Sequence, residues 1–224
     1  MKRLPIVVLI SGSGSNLQAI IDAAEQGELP VEIQAVISNC ADAYGLERAR
    51  RSGIDTRVID HREFPDRRSF DQALQQAIDQ YQPGLVVLAG FMRILTPEFV
   101  SHYAGRMFNI HPSLLPDYRG LHTHRRVLED NGSRHGASVH FVTSELDGGP
   151  VVIQAEVPVL PGDDPETLAA RVLSQEHRIY PLAIRWFAEG RLKLARGIPY
   201  LDGKPLRSPV RIEEVEHEES GEES

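Results

Sequence analysis

The chain has 224 residues, 41% of them hydrophobic and 25% charged, with a formal net charge of −8. These are the proportions of an ordinary globular protein of one domain or two small ones, with a core burying roughly 70% of the unfolded chain's surface. No apolar run approaches the roughly 20 residues of a membrane-spanning helix. A single cysteine, Cys40, excludes an internal disulfide and a Cys-based zinc cluster and fits a reducing cytosol.

The acidity is concentrated at one end. Residues 213–224 hold seven glutamates and no lysine or arginine, leaving 24 basic against 25 acidic residues in 1–212. The body therefore lacks the basic footprint of a nucleic-acid binder. The expected organisation is one domain over 1–208, followed by an acidic, disordered, solvating tail over 209–224.

In chain order, PIVVLI (5–10) reads as a buried strand, too short and too soon followed by glycines to be an export signal. VEIQAVIS (31–38), DTRVID (55–60), LVVLA (85–89) and RMFNI (106–110) are further short strands. NLQAIIDAAEQ, YGLERARR and DRRSFDQALQQAIDQY, which lie between the first four, space their apolar residues at helical intervals. This alternation predicts an α/β fold: a Rossmann-like, three-layer arrangement with a mostly parallel sheet and helices on both faces. ASVHFVT (137–143) and VVIQAEVPV (151–159) are two strands, antiparallel or nearly so, joined by SELDGGP. Residues 164–190 predict a long amphipathic helix with an Asp-Pro start, a Gly stop and an internal Pro181 that could kink it. A short strand near Leu192–Ala195 closes the fold.

Open α/β sheets bind ligands outside the carboxyl ends of their strands, and four motifs fall where such sites are sought. SGSGSN (11–16) joins the first strand to the first helix, with Ser15 or Asn16 as expected N-cap. Its free N–H groups and the helix dipole make an anion site. No lysine follows, as a P-loop requires, and a third dinucleotide-type glycine is replaced by Leu17, so a single phosphate monoester fits better. Asn109-Ile110-His111 puts an amide donor and an imidazole on one face of a strand, suited to stabilising an oxyanion and moving a proton. Either could equally be structural. The third motif is the Glu145–Pro150 loop, where Asp147 is either a turn residue or a carboxylate that favours the charged form of His111 and orients it. The fourth is a group of histidines, His111, His122, His124 and His140. His122 and His124 invite a metal reading, but two positions apart at a helix start they do not share a face.

SGSGSNLQAIIDA, VISNCADAYGLERA, VVLAGFMRIL, FNIHPSLLPDYRGLHTH, SVHFVTSELDGGP and QEHRIYP together resemble the phosphoribosylglycinamide formyltransferase family from about Leu4 to Asp202. The resemblance implies formyl transfer from 10-formyltetrahydrofolate, a co-substrate, to the amine of glycinamide ribonucleotide in purine synthesis, without metal. It implies Asn109, His111 and Asp147 as the catalytic set. Gly14, Ser15, Asn16 and Glu176 would hold the ribonucleotide, and Arg67 the folate glutamate tail. Met92, Arg93, Ile94 and Leu95 would line the pterin pocket with Asn109, Thr143, Ser144, Glu145, Leu146 and Asp147. On this reading the N-terminal half carries the phosphate site and the C-terminal half the folate site. Without the resemblance, Met92–Leu95 reads as core packing and Arg67 as a helix-start charge. Ser144 and Leu173 stand where the family more often has acidic and polar residues.

Three other readings compete. A methionyl-tRNA formyltransferase would carry a further RNA-binding domain and more positive charge. A formyltetrahydrofolate deformylase would carry an N-terminal regulatory domain. A Rossmann-type sensor would have no need for Asn109, His111 and Asp147 to converge. The expected protein is cytoplasmic, a monomer or weak homodimer, with small-molecule substrates and no nucleic-acid or membrane partner.

Overall fold

The structure is a computed structural model and describes residues 2–215. Five parallel-type strands form its first part: β1 (Leu4–Ile10), β2 (Val31–Ser38), β3 (Asp55–Val58), β4 (Leu85–Leu88) and β5 (Met107–His111). Helices α1 (Ser15–Glu25), α2 (Tyr44–Arg51), α3 (Arg67–Asp79) and α4 (Pro97–His102) alternate with them. After α5 (Thr123–Glu129) come β6 (Arg134–Phe141), β7 (Val151–Pro158) and the 24-residue helix α6 (Pro165–Ala188). The chain ends in β8 (Leu192–Ala195), β9 (Ile198–Leu201), β10 (Lys204–Pro205) and β11 (Val210–Arg211).

The main sheet runs β11-β7-β6-β5-β4-β1-β2-β3. β6 is antiparallel to both β5 and β7, and the other adjacent pairs are parallel. β1 is the centre, and Ile6 through Ile10 are fully buried, as a parallel strand covered on both faces requires. Its side chains alternate between layers. Ile6, Val8 and Ile10 pack with α1, α2 and α6, whereas Val7 and Leu9 pack with Phe70 and Leu74 of α3 and Phe99 of α4. From α6, the buried Tyr180 hydroxyl donates to the Leu88 carbonyl at 2.7 Å, fixing the helix against β4. Asp164 caps α6 by accepting from the Thr167 N–H, Pro165 begins it, and the helix runs on through Pro181.

Three expectations need correction. α1 is capped by Gly14, at φ 70°, and neither Ser15 nor Asn16 makes a capping bond. Glycine is required at position 14 because a Cβ would lie 2.5 Å from the Cα of Gly45 at the start of α2. The domain boundary at 208 is also too early: Val210 and Arg211 pair with Ile153 and Gln154 of β7, and Ile212 is buried. The rest of the acidic tail, from Glu216, lies outside the described residues. Finally, the two halves of the chain are not separate at the glycine loop. Glu176 of α6 meets Asn16 in the glycine loop.

A histidine pair lies at the start of β6, where it faces α5. His135, 1% exposed, and His124 share a hydrogen bond of 3.0 Å between Nε2 and Nδ1. Burial, with neighbouring histidines, lowers His135 from its ordinary 6.5 to about 4. A folded-state value below the unfolded one means that the unfolded chain binds the extra proton between those limits. Stability is therefore whole above about pH 6.5 and falls as the pH drops toward about 4, by an amount on the order of 3 kcal/mol. Urea denaturation across this window should show that slope, and His135→Leu should flatten it. An unchanged slope in the variant would contradict the assignment.

Candidate active site

The strand order reverses direction between β1 and β4, the switch point where open α/β sheets leave a crevice. Three segments leave the parallel strands at that edge: the glycine loop 11–14 after β1, residues 89–96 after β4, and the loop beginning at Pro112 after β5.

Asn109 and His111 are two apart on β5 and so share a face, the one that carries Met107 toward α3 and α4. His140 stands directly across from Asn109 on β6. Its Nδ1 lies 2.9 Å from the Phe141 carbonyl, an acceptor, so that nitrogen carries the proton and Nε2 is left to accept. Burial lowers the His140 pKa and keeps it neutral. The Asn109 Nδ2 donates to that Nε2 at 3.3 Å. This contact sets the amide's orientation, with its NH2 toward His140 and a second hydrogen to spare.

Asp147 reaches the same face by an indirect route. Because β6 is antiparallel, its carboxyl end lies beside the amino end of β5, where the Val142 N–H donates to the Met107 carbonyl at 2.9 Å. The motif ELDGGP thus does not sit at the carboxyl edge of the parallel strands, as expected, but folds back over the β5–β6 face. Gly149 permits the approach, since a Cβ there would fall 1.8 Å from the Phe141 oxygen. Asp147 itself adopts φ 48°, a left-handed conformation that Asp tolerates better than most residues. Its Oδ2 accepts the Gly120 N–H at 2.9 Å and lies 3.5 Å from His111 Nδ1, while Oδ1 lies 3.9 Å from His140 Nε2.

His111 is 6% exposed and has an acceptor on each side. Its Nε2 is 2.9 Å from the Tyr118 carbonyl and its Nδ1 faces the Asp147 carboxylate. The Nε2 edge is thus fixed by a backbone acceptor, and the ring is held between a carboxylate and the amide donor of Asn109. The loop supplying Tyr118 is held from below: Ser138 Oγ accepts from the Leu115 N–H and donates to the Ser113 carbonyl, and Gln154 donates to the Leu115 carbonyl. Arg119 pairs with Glu145, joining this loop to the Asp147 loop.

At the glycine loop, the first helical bond of α1 runs from Gln18 N to Gly14 O, so the N–H groups of Ser15, Asn16 and Leu17 are free of helical partners. Asn16 turns inward and donates to Glu176 Oε2 at 2.6 Å, leaving its own buried Oδ1 without a partner. Burial raises the Glu176 carboxyl above the usual range, although the Asn16 bond lowers it. Arg48 adds positive charge, donating to the Ser13 carbonyl at 2.8 Å.

The remaining sequence candidates fall around these groups. Met92 and Ile94 are exposed and Arg93 and Leu95 half-buried, in a segment that is itself neither strand nor helix. Thr143 is half-buried and Ser144, Glu145 and Leu146 are exposed on the folded-back loop. Arg67 is exposed at the start of α3, and no contact joins it to the other candidates. His122 is the N-cap of α5, and among the described residues no three His, Cys, Asp or Glu side chains converge as a metal-ligand set. Sequence reasoning missed the carbonyl of Tyr118 and the N–H of Gly120, which are backbone groups, and gave His140 no role beyond the histidine group. Its pairing with Asn109 needs the β5–β6 register, which the sequence does not spell out.

Residues 4–184 match the formyl transferase family model. The chain is 60% identical over 201 residues to phosphoribosylglycinamide formyltransferase of Escherichia coli, covering 90% of this chain and 95% of that protein. It is 44% identical to the human trifunctional purine biosynthetic protein adenosine-3 over 86% of this chain, corresponding to 19% of that longer protein. Among solved structures, phosphoribosylglycinamide formyltransferase from Coxiella burnetii superposes with a TM-score of 0.90 at 57% identity, over 93% of this chain and 99% of that one. With a mostly parallel α/β sheet and this extent of identity, the chain belongs to the formyl transferase family, in its phosphoribosylglycinamide formyltransferase branch.

Proposed function

We propose that this chain moves the formyl group of 10-formyltetrahydrofolate to the primary amine of glycinamide ribonucleotide, giving formylglycinamide ribonucleotide and tetrahydrofolate in purine biosynthesis. The observation that carries the reading is the gathering of Asn109, His111 and Asp147 on one sheet face, at the switch point of a chain from this branch. A sensor has no need of that gathering.

The ribonucleotide phosphate is held by the N–H groups around Gly14, Ser15 and Asn16, where the α1 dipole favours an anion. Glu176 accepts from the ribose hydroxyls. The pterin lies along Met92, Arg93, Ile94 and Leu95 and against Thr143, Ser144, Glu145 and Leu146, and Arg67 meets the glutamate carboxylates. The amine attacks the formyl carbon, and the carbonyl electron pair moves onto oxygen. That oxyanion accepts the spare N–H of Asn109 and is stabilised by His111 beside it. Asp147 faces His111 and takes part in moving the amine proton to the folate nitrogen, which leaves with the electron pair of the broken C–N bond. No covalent enzyme intermediate is required. The single half-buried cysteine supports a cytoplasmic setting, and the chain acts as a monomer or weak homodimer.

The direct test is formation of tetrahydrofolate from 10-formyltetrahydrofolate with and without glycinamide ribonucleotide. Turnover should require the ribonucleotide; turnover with water alone would make the chain a deformylase and refute the reading. His111→Ala should lower kcat at least about 100-fold, since losing one oxyanion donor alone costs that much. Activity within threefold of the parent would remove its role.

Glu176→Gln separates binding from stability. Burial raises the Glu176 pKa, so the folded chain holds its proton to a higher pH than the unfolded one, and its contribution to stability is lost as the pH rises through that raised value. The glutamine amide of the variant keeps an acceptor for Asn16 and never ionises. Tm at pH 8 should be equal or higher in the variant while KM for the ribonucleotide rises. A lower Tm with unchanged KM would contradict both halves.

A further inference from the structure

One hydrogen-bonded chain at the switch point has no part in the chemistry above. The N–H of Met92 donates to Ser11 Oγ at 2.8 Å, and Ser11 donates its hydroxyl proton to Asn39 Oδ1 at 2.5 Å. The Nδ2 of Asn39, 4% exposed, then reaches His61 Nδ1 at 3.2 Å. Every group has a consistent role: the hydroxyl accepts once and donates once, and the amide accepts on oxygen and donates from nitrogen. Ser11 opens the glycine loop, Asn39 follows β2, and Met92 begins the segment after β4.

That segment is poorly supported by its own backbone. Residues 91–96 belong to no strand or helix, and Met92 is 63% exposed. Besides the core packing of Phe91 and Leu95, two side chains hold its backbone by hydrogen bonds. At the far end the buried Asp71 of α3 accepts the Thr96 N–H at 2.6 Å. At the near end, next to the core residue Phe91, Ser11 accepts the Met92 N–H.

We propose that Ser11 is a positioning residue that sets the spacing between the ribonucleotide loop (12–16) and the folate strip (92–95). The inference rests on the function proposed above, which assigns one substrate to each segment. Each loop binds its own substrate, so neither binary affinity depends strongly on how the two are placed relative to each other. Reaction does depend on it: the amine must approach the formyl carbon in a near-attack geometry, where a misplacement of about 1 Å can cost about 100-fold. Ser11 therefore acts on the step that needs both substrates, while Asp71 keeps the strip in place enough to bind folate.

The test measures kcat at saturation in both substrates, and the dissociation constant of each substrate alone by calorimetry. Ser11→Ala should lower kcat about tenfold and leave both dissociation constants within twofold. Ser11→Thr, which keeps the hydroxyl, should recover most of the rate. Asn39→Ala removes the acceptor that orients the hydroxyl and should give the same split, so it carries the test if Ser11→Ala does not fold. A kcat within twofold of the parent in these variants would overturn the proposal. So would loss of both binary affinities at unchanged kcat, which marks support of two separate sites. An active parent with unaffected variants refutes only the positioning role, whereas an inactive parent would overturn this and the proposed function together.

Discussion

The site depends on one carboxylate being brought to a place the strand order does not naturally supply. β6 is antiparallel, so its outgoing loop starts at the wrong edge of the sheet, and Asp147 reaches His111 only because residues 143–150 fold back across β5. Gly149 makes that return sterically feasible, and the Gly120 N–H and the Arg119–Glu145 pair hold it down. Asp147 in turn faces the Nδ1 edge of His111, whose Nε2 lies against the Tyr118 carbonyl.

The rest of the fold gives this arrangement a rigid floor. β1, β4 and β5 are parallel and adjacent, so their carboxyl ends present the glycine loop, the 89–96 segment and His111 along one edge. The strands are buried between two helical layers, and Tyr180 fastens the long helix α6 to β4 and β5. The same helix brings Glu176 to Asn16. Functional groups on short loops are thus set by strand ends that close packing keeps from shifting.

Much of this was legible in the sequence, for identifiable reasons. β1 and β4 are uninterrupted apolar runs, and α1, α3 and α6 are long enough to show a helical period. α4 and α5 have six and seven residues, under two turns, too few for a period to emerge. The strands β9 and β10 went unread although Asp202-Gly203, a strong hairpin signal, sits between them. In the site, residues with distinctive chemistry stood out: Asn109, His111 and Asp147. Their partners did not, because Tyr118 and Gly120 act through the backbone and Ser11 and His140 act through strand pairings and long-range contacts. Asp71 is one polar position in an amphipathic helix, and its burial and its bond to the Thr96 N–H set it apart.

The central claim is that the face shared by Asn109, His111 and Asp147 is where the formyl oxygen acquires its charge. The most direct measurement is a crystal structure with glycinamide ribonucleotide and a folate analogue whose 10-acyl group cannot transfer. The account predicts the acyl oxygen about 3 Å from Asn109 Nδ2 and on the His111 side, with the amine poised over the acyl carbon. An acyl oxygen directed away from both residues, with the carbon out of reach of the amine, would contradict it.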